Sequence, residues 1–224
     1  MYYWLCVILF ISLVAASARD IQDHQFLGFE EGDELRKSGS CKDITLIFAR
    51  GTFQPGLLGL LVGPQLCDAL KRSYSGTVAC QGVGPEYTAD LASNLLPGGT
   101  SAAAISEAKE LFEQAAFQCP HTSIVAGGYS QGAAVMHGSI PTLSDQIKDR
   151  IKGVVMFGDS RQQQSHNRID HFSEQKVKFY CDEHDGICQN SISLSLSHYE
   201  YGSKAEDASQ WLLSQVNSTN QNVG

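Results

Sequence analysis

Ser123-Ile124-Val125-Ala126-Gly127-Gly128-Tyr129-Ser130-Gln131-Gly132-Ala133-Ala134 is the stretch whose reading decides the fold. An apolar run, short enough for a buried strand, ends on Gly128-Tyr129-Ser130-Gln131-Gly132. That pentapeptide fits Gly-x-Ser-x-Gly, the signature of a sharp strand-to-helix turn that presents a serine hydroxyl. The spacing has a physical reason. The turn forces the serine into a strained backbone, and side chains at the flanking positions would clash. The serine then sits at a helix N-terminus, where backbone N–H groups and the helix dipole favour a developing negative charge. A bare match means little in a chain with 21 glycines. Here a strand pattern precedes it, and the small residues Gly132, Ala133 and Ala134 follow, so a helix can pack close to a sheet.

Working outward, four more runs read as strands: Ile44 to Ala49, Thr77 to Cys80, Val154 to Phe157 and Val177 to Tyr180. Between them lie helical patterns. Ile105, Ala108, Phe112 and Ala115 recur on one helix face, and Thr100 or Ser101 can cap that helix after the breaker Pro97-Gly98-Gly99. Leu57 to Tyr74, Gln131 to about Ser139, Leu143 to Lys152 and Ala205 to Val216 are the other expected helices. Strands alternating with helices imply an α/β fold, a parallel sheet covered on both faces.

A serine hydroxyl needs a base, and the base needs an acid to orient it. In this kind of fold the chain order is Ser, then Asp or Glu, then His. Apart from His137 in the next helix, the histidines after Ser130 are His166, His171, His184 and His198. His198 is favoured as the last, in a polar loop before the final helix. Asp159, Asp170, Asp182, Glu183 and Asp185 are candidate acids. Cys181 and Cys188 bracket a short loop at the end of a strand, a rigid place for a carboxylate, and pattern alone leaves Asp182, Glu183 and Asp185 level.

Composition narrows the function classes. The chain has 224 residues, 42% hydrophobic and 18% charged, enough for one domain with a substantial core. Net charge is −8 with no basic block, which argues against partners such as nucleic acid or anionic lipid. Residues 1–18 read as a signal peptide: Leu5 to Val14 is almost wholly apolar, and Ala16-Ser17-Ala18 fits a cleavage site. No other segment is expected to span a bilayer, so the protein is expected to be secreted without integral membrane association. Six cysteines follow the leader, Cys41, Cys67, Cys80, Cys119, Cys181 and Cys188. An even set in an exported chain suggests three disulfides. With no Cys-x-x-Cys and no His-Glu-x-x-His, a metal site is not expected. Residues 19–40 are acidic and mixed, and read equally as an arm, a propeptide or a lid. Residues 41–216 form the expected catalytic domain, and 217–224 a polar tail holding the sequon Asn217-Ser218-Thr219.

From Cys41 to Ser214 the chain resembles the fungal cutinases, in the family that also holds acetylxylan esterases. The resemblance rests on Ile47-Phe48-Ala49-Arg50-Gly51-Thr52, Gln81-Gly82-Val83-Gly84, Asn94-Leu95-Leu96-Pro97-Gly98-Gly99-Thr100-Ser101, Ala126 to Gly132, Cys181-Asp182-Glu183-His184-Asp185-Gly186-Ile187-Cys188, and His198-Tyr199-Glu200-Tyr201-Gly202. It implies a small α/β-hydrolase with a central five-stranded parallel sheet. It implies Ser130 as nucleophile, His198 as base and Asp185 as acid. It puts an oxyanion hole at Thr52 and Gln131, with Asn94 orienting the Thr52 hydroxyl. It pairs Cys41 with Cys119 and Cys181 with Cys188, leaving Cys67 for Cys80. It sets Leu91, Ile192 and Leu194 along an acyl-binding rim. Tyr199 and the alternating loop Ile192 to Ser197 depart from the family's more apolar pattern.

The expectation is thus a monomeric serine esterase that needs no cofactor and acts on cutin-like polyesters or other lipid-like esters of short to medium chain. The alternatives are an acetylxylan esterase and an inactive secreted surface-binding protein.

Overall fold

The computed structural model describes residues 32–37, 39, 41–189, 191, 193 and 195–220. The signal segment and most of the 19–40 stretch, together with Ile192 and Leu194, lie outside the described residues.

Five parallel strands make one sheet: β1 (Ile44–Ala49), β2 (Val78–Gly82), β3 (Ser123–Tyr129), β4 (Ile151–Phe157) and β5 (Val177–Tyr180), in the order β2-β1-β3-β4-β5. Every residue of β1 is buried, as a strand covered on both faces must be. Ile44, Leu46 and Phe48 point to one side of the sheet, and Ile47 and Ala49 to the other. On the first side pack α2 (Gly63–Ser73), through Leu66 and Leu70, and α7 (Ala205–Asn220), through Ala208 and Leu212. On the second lie α4 (Ala102–Gln118), through Ala108, Leu111 and Phe112, and α5 (Gln131–Ser139), through Ala133 and Met136. Burying a side chain such as Phe112 contributes about 2 kcal/mol, so these faces hold the layers together.

Elements differ from the sequence reading at their ends. The helix expected from Leu57 starts only at Gly63. Gly56 and Gly59 take positive φ, 70° and 79°, which breaks helical geometry, and Pro64 suits a first turn. The helix expected over Leu143 to Lys152 is α6 (Asp145–Arg150) alone, because Ile151 and Lys152 already belong to β4. Of the two candidate caps for α4, Ser101 takes the role: its Oγ accepts from Ala104 N at 3.1 Å. Helix α7 runs to Asn220, so Asn217 and Ser218 are helical rather than part of a tail.

The end of the 19–40 stretch docks on the domain. A short helix, α1 (Glu34–Lys37), buries Leu35, and Asp33 bridges to Gln81 on the edge strand β2. Three disulfides tie the fold: Cys41–Cys119, Cys67–Cys80 and Cys181–Cys188, across 78, 13 and 7 residues.

The strand order places the site. From β1 the chain turns to β2 on one side and then crosses to β3 on the other, so the order of strand addition reverses between the parallel strands β1 and β3. Loops diverge at such a point and leave a crevice at the carboxyl ends. The register pairs Ala49 with Gly128, so Arg50-Gly51-Thr52 leaves β1 beside Ser130.

Candidate active site

Ser130 joins β3 to α5 with φ 55° and ψ −119°, a backbone that a side chain adopts only under constraint. Its surroundings supply the constraint. A Cβ on Gly128 would meet Gly132 O at 2.5 Å, and one on Gly132 would meet Ala49 O at 2.0 Å. Ser130 N donates to Phe157 O on β4 at 2.9 Å.

His198 Nε2 lies 3.0 Å from Ser130 Oγ, and its Nδ1 lies 2.7 Å from Asp185 Oδ2. Both His198 and Asp185 are buried. Asp185 Oδ2 also accepts from the Tyr201 hydroxyl at 2.8 Å, and Oδ1 accepts from Ile187 N at 3.0 Å. The carboxylate therefore has donors on both oxygens and needs no water. Burial pushes the Tyr201 phenol up, so it stays a donor at any working pH. Tyr129 fixes the histidine from below, its hydroxyl donating to His198 O at 2.7 Å. Gly158 leaves room for the ring, since a Cβ there would stand 2.9 Å from His198 Cε1.

The acids left level by the sequence now separate. Asp182 is exposed and taken by its own turn: His184 N donates to it at 2.9 Å and holds it below the usual carboxylate range. Glu183 is exposed. Asp159 is buried but pairs with His137 Nε2 at 2.8 Å. Asp185 alone of these reaches His198.

On the other side of Ser130, Thr52 Oγ1 accepts from Asn94 Nδ2 at 2.8 Å, which leaves its own hydroxyl hydrogen free to turn. Gln131 Oε1 is 3.5 Å from Thr52 Oγ1, too far to compete strongly. Gln131 is the first residue of α5, so its N–H has no acceptor within the helix. Asn94 sits on α3 (Leu91–Asn94), which Asp90 caps by accepting from Ser93 N at 2.9 Å. The Thr88 hydroxyl, followed by Ser93, holds the Asp90 carboxyl down at about 2.

Ser130 and His198 open onto a groove of about 580 Å³. Leu91, Leu95 and Leu96 line it, with Phe53, Leu60 and Tyr199. Leu95 is 85% exposed and Phe53 74% exposed, so these walls face solvent rather than the core. Of the rim residues expected from the sequence, Leu91 lines the groove, while Ile192 and Leu194 lie outside the described residues. The sequence reading missed the rest of this rim and the three buried tyrosines of the site, Tyr87, Tyr129 and Tyr201. Tyr129 and Tyr201 stand within the quoted motifs, one beside Ser130 and one three residues after His198. Their position was a signal that periodicity does not carry.

Among the described residues, no group of three or more His, Cys, Asp or Glu side chains could hold a metal ion, and no helix is long and apolar enough to cross a membrane.

The cutinase family model matches residues 40–216. Probable cutinase 1 of Aspergillus niger is 44% identical over 207 residues, 92% of this chain and 79% of that protein. Cutinase 3 of Emericella nidulans is 45% identical over 185 residues, 82% of this chain and 83% of that protein. Among solved structures, Trichoderma reesei cutinase in complex with a phosphonate inhibitor superposes with a TM-score of 0.74 at 30% identity, covering 89% of this chain and 86% of that one. An acetyl xylan esterase shares the fold at a TM-score of 0.60 and 22% identity, covering 80% of this chain and 99% of that one. With its sheet, its serine turn and its motifs in one order, and with a family match over most of its length, the chain belongs to the cutinase family.

Proposed function

We propose that this cutinase-type ester hydrolase uses Ser130 as nucleophile, His198 as base and Asp185 as acid, on aliphatic esters of the cutin type. The observation that carries the reading is the unbroken chain from Ser130 Oγ to His198 at 3.0 Å and from His198 to Asp185 at 2.7 Å, at the floor of an apolar groove. His198 Nε2 takes the Ser130 proton as Oγ attacks the ester carbonyl. Asp185 holds the Nδ1–H tautomer and stabilises the imidazolium. The oxyanion is met by Thr52, through N–H and hydroxyl, and by Gln131 N–H. One such donor contributes about 3 kcal/mol of barrier lowering. The imidazolium returns its proton to the departing alkoxide, leaving an acyl-enzyme. Water, deprotonated by His198, then releases the acid and restores Ser130.

The leucine-rich rim favours a hydrocarbon acyl group over a sugar, because each methylene it desolvates contributes up to about 0.8 kcal/mol. The enzyme is read as secreted, in keeping with its three disulfides, and as a monomer. The test is a series of p-nitrophenyl esters from acetate upward, with cutin and acetylated xylan in parallel. Highest kcat/KM on butyrate or a longer ester, with fatty acids released from cutin, is the expected result. A preference for acetate with acetyl release from xylan contradicts the substrate reading.

A further inference from the structure

Glu107 is the one acidic side chain buried on α4, a helix whose other acids face solvent. Its two oxygens point to different partners. Oε1 pairs with Arg36 Nη2 at 3.2 Å, and Oε2 accepts from Tyr87 N at 2.8 Å. Arg36 also donates, through Nη1, to Gly84 O. Tyr87, only 1% exposed, turns its hydroxyl to Arg50 O at 2.7 Å, with Gln131 Oε1 3.2 Å away. Burial pushes that phenol up, so it remains a neutral donor. The Arg50 side chain in turn donates to Gln54 O, Val83 O and Tyr87 O at 2.8, 3.0 and 3.0 Å. The loop carrying Thr52 is thus held at Arg50 before it and Gln54 after it, and the holding groups lead back to Arg36.

We propose that Arg36, Glu107 and Tyr87 form a relay of positioning residues that sets the Arg50–Gln54 loop and the Gln131 side chain, so that residues 32–37 belong to the working enzyme rather than to a removable propeptide. The inference rests on the reading of Thr52 and Gln131 as the oxyanion hole. An oxyanion hole must be built before the reaction, because donors that reorganise during it stabilise the transition state less. The Arg50–Gly51 peptide precedes the Thr52 N–H by one residue, and a hydroxyl on Arg50 O fixes the tilt of that peptide. Buried hydrogen bonds in a low dielectric reinforce one another, so losing one member loosens the rest. Residues 32–37 have a second anchor outside the relay: Glu34 accepts from Cys80 N at 2.7 Å and pairs with Lys71. That anchor serves as the control.

The experiment compares five variants of the full chain on p-nitrophenyl butyrate, at a temperature well below every Tm. In Tyr87→Phe the ring still fills its site, and kcat is expected to fall about tenfold with KM within about twofold, as a small misplacement of catalytic groups would do. Its pH profile should match the wild type, since the triad is untouched. Arg36→Ala should lower kcat in the same direction, and Arg36→Lys should restore most of it. Lys71→Ala should leave kcat unchanged while lowering Tm. A Tyr87→Phe enzyme with wild-type kcat and a lowered Tm overturns the relay, as does a Lys71→Ala enzyme as slow as Arg36→Ala. Thr52→Ala keeps the two readings apart: if it is silent, the oxyanion assignment fails, and if it is slow while Tyr87→Phe is not, the relay alone fails. N-terminal sequencing of the exported protein should place its start before Gly32, and a start after Lys37 with full activity overturns the role of this segment.

Discussion

The two walls of the site are held by different means. The wall proposed to carry the base, with Asp185, His198 and Tyr201, is short-range, and its acid sits in a covalent bracket. Asp185 lies inside the Cys181–Cys188 loop, and its donors Ile187, His198 and Tyr201 all come from the sixteen residues that follow it. The wall proposed to hold the oxyanion is long-range and held by hydrogen bonds. Arg36, Thr52, the stretch from Tyr87 to Asn94, and Gln131 come from four separate parts of the chain and meet only in the fold. The difference teaches where each wall is vulnerable. A covalent loop fails by reduction or by losing its one carboxylate. A buried polar network is loosened as a whole when any one partner is lost.

The largest effect is expected on the base wall. Asp185→Asn should keep the fold and lower kcat by about 10⁴-fold, because an amide holds the imidazole in the wrong tautomer. Steady-state kinetics beside a thermal melt measure both, and near-normal activity would break the assignment of this wall. The rate should also fall on acidification, since a protonated His198 cannot accept the serine proton. A rate flat to strongly acidic pH would remove His198 from its role.

How far each wall was legible in the sequence follows the same division. The serine turn and five strands were readable because apolar runs and glycine spacing are local signals. The base wall was half readable: the Cys181–Cys188 bracket pointed to a carboxylate, but Asp182, Glu183 and Asp185 differ only in where their turn aims them. In the fold, His184 N captures Asp182 and Tyr201 meets Asp185. From residue patterns alone the oxyanion wall was nearly invisible. Glu107 reads as one more solvent-facing acid in an amphipathic helix, and nothing near Arg36 in sequence announces its partner. Thr52, Gln131 and Asn94 came from family resemblance alone.

A smaller loss is expected from the oxyanion wall. Thr52→Ala removes one donor and should lower kcat by about 10²-fold, near the lower end of the range for such donors. Asn94→Ala only unfixes that hydroxyl and should cost about tenfold. Equal losses in the two variants would show that Asn94 does more than orient Thr52. Smaller again is the effect of opening the bracket. Replacing Cys181 and Cys188 by serine should cost about 2 kcal/mol of stability by loop-closure entropy, read as a lower denaturation midpoint. Its kcat should fall too, because the loop that aims Asp185 loses its closure. Unchanged kcat would mean that Tyr201 and Ile187 hold the carboxylate without the bracket. The smallest effect is at the rim. Leu91→Ser, on an exposed position, should raise KM for butyrate about threefold and leave acetate nearly unchanged, since a short acyl group desolvates little of it. An equal rise for both esters would take Leu91 out of the acyl site.

Both walls converge on one atom, and the most direct measurement is made there. The purified enzyme is treated with an alkyl phosphonate ester, and the modified peptide is mapped by mass spectrometry beside a Ser130→Ala variant. The account predicts one phosphonyl group per chain, on Ser130, with esterase activity lost in proportion. It predicts that Ser130→Ala folds, takes no label and shows no turnover above background. A label on any other residue, or a Ser130→Ala enzyme that still hydrolyses p-nitrophenyl butyrate at the wild-type rate, would contradict it.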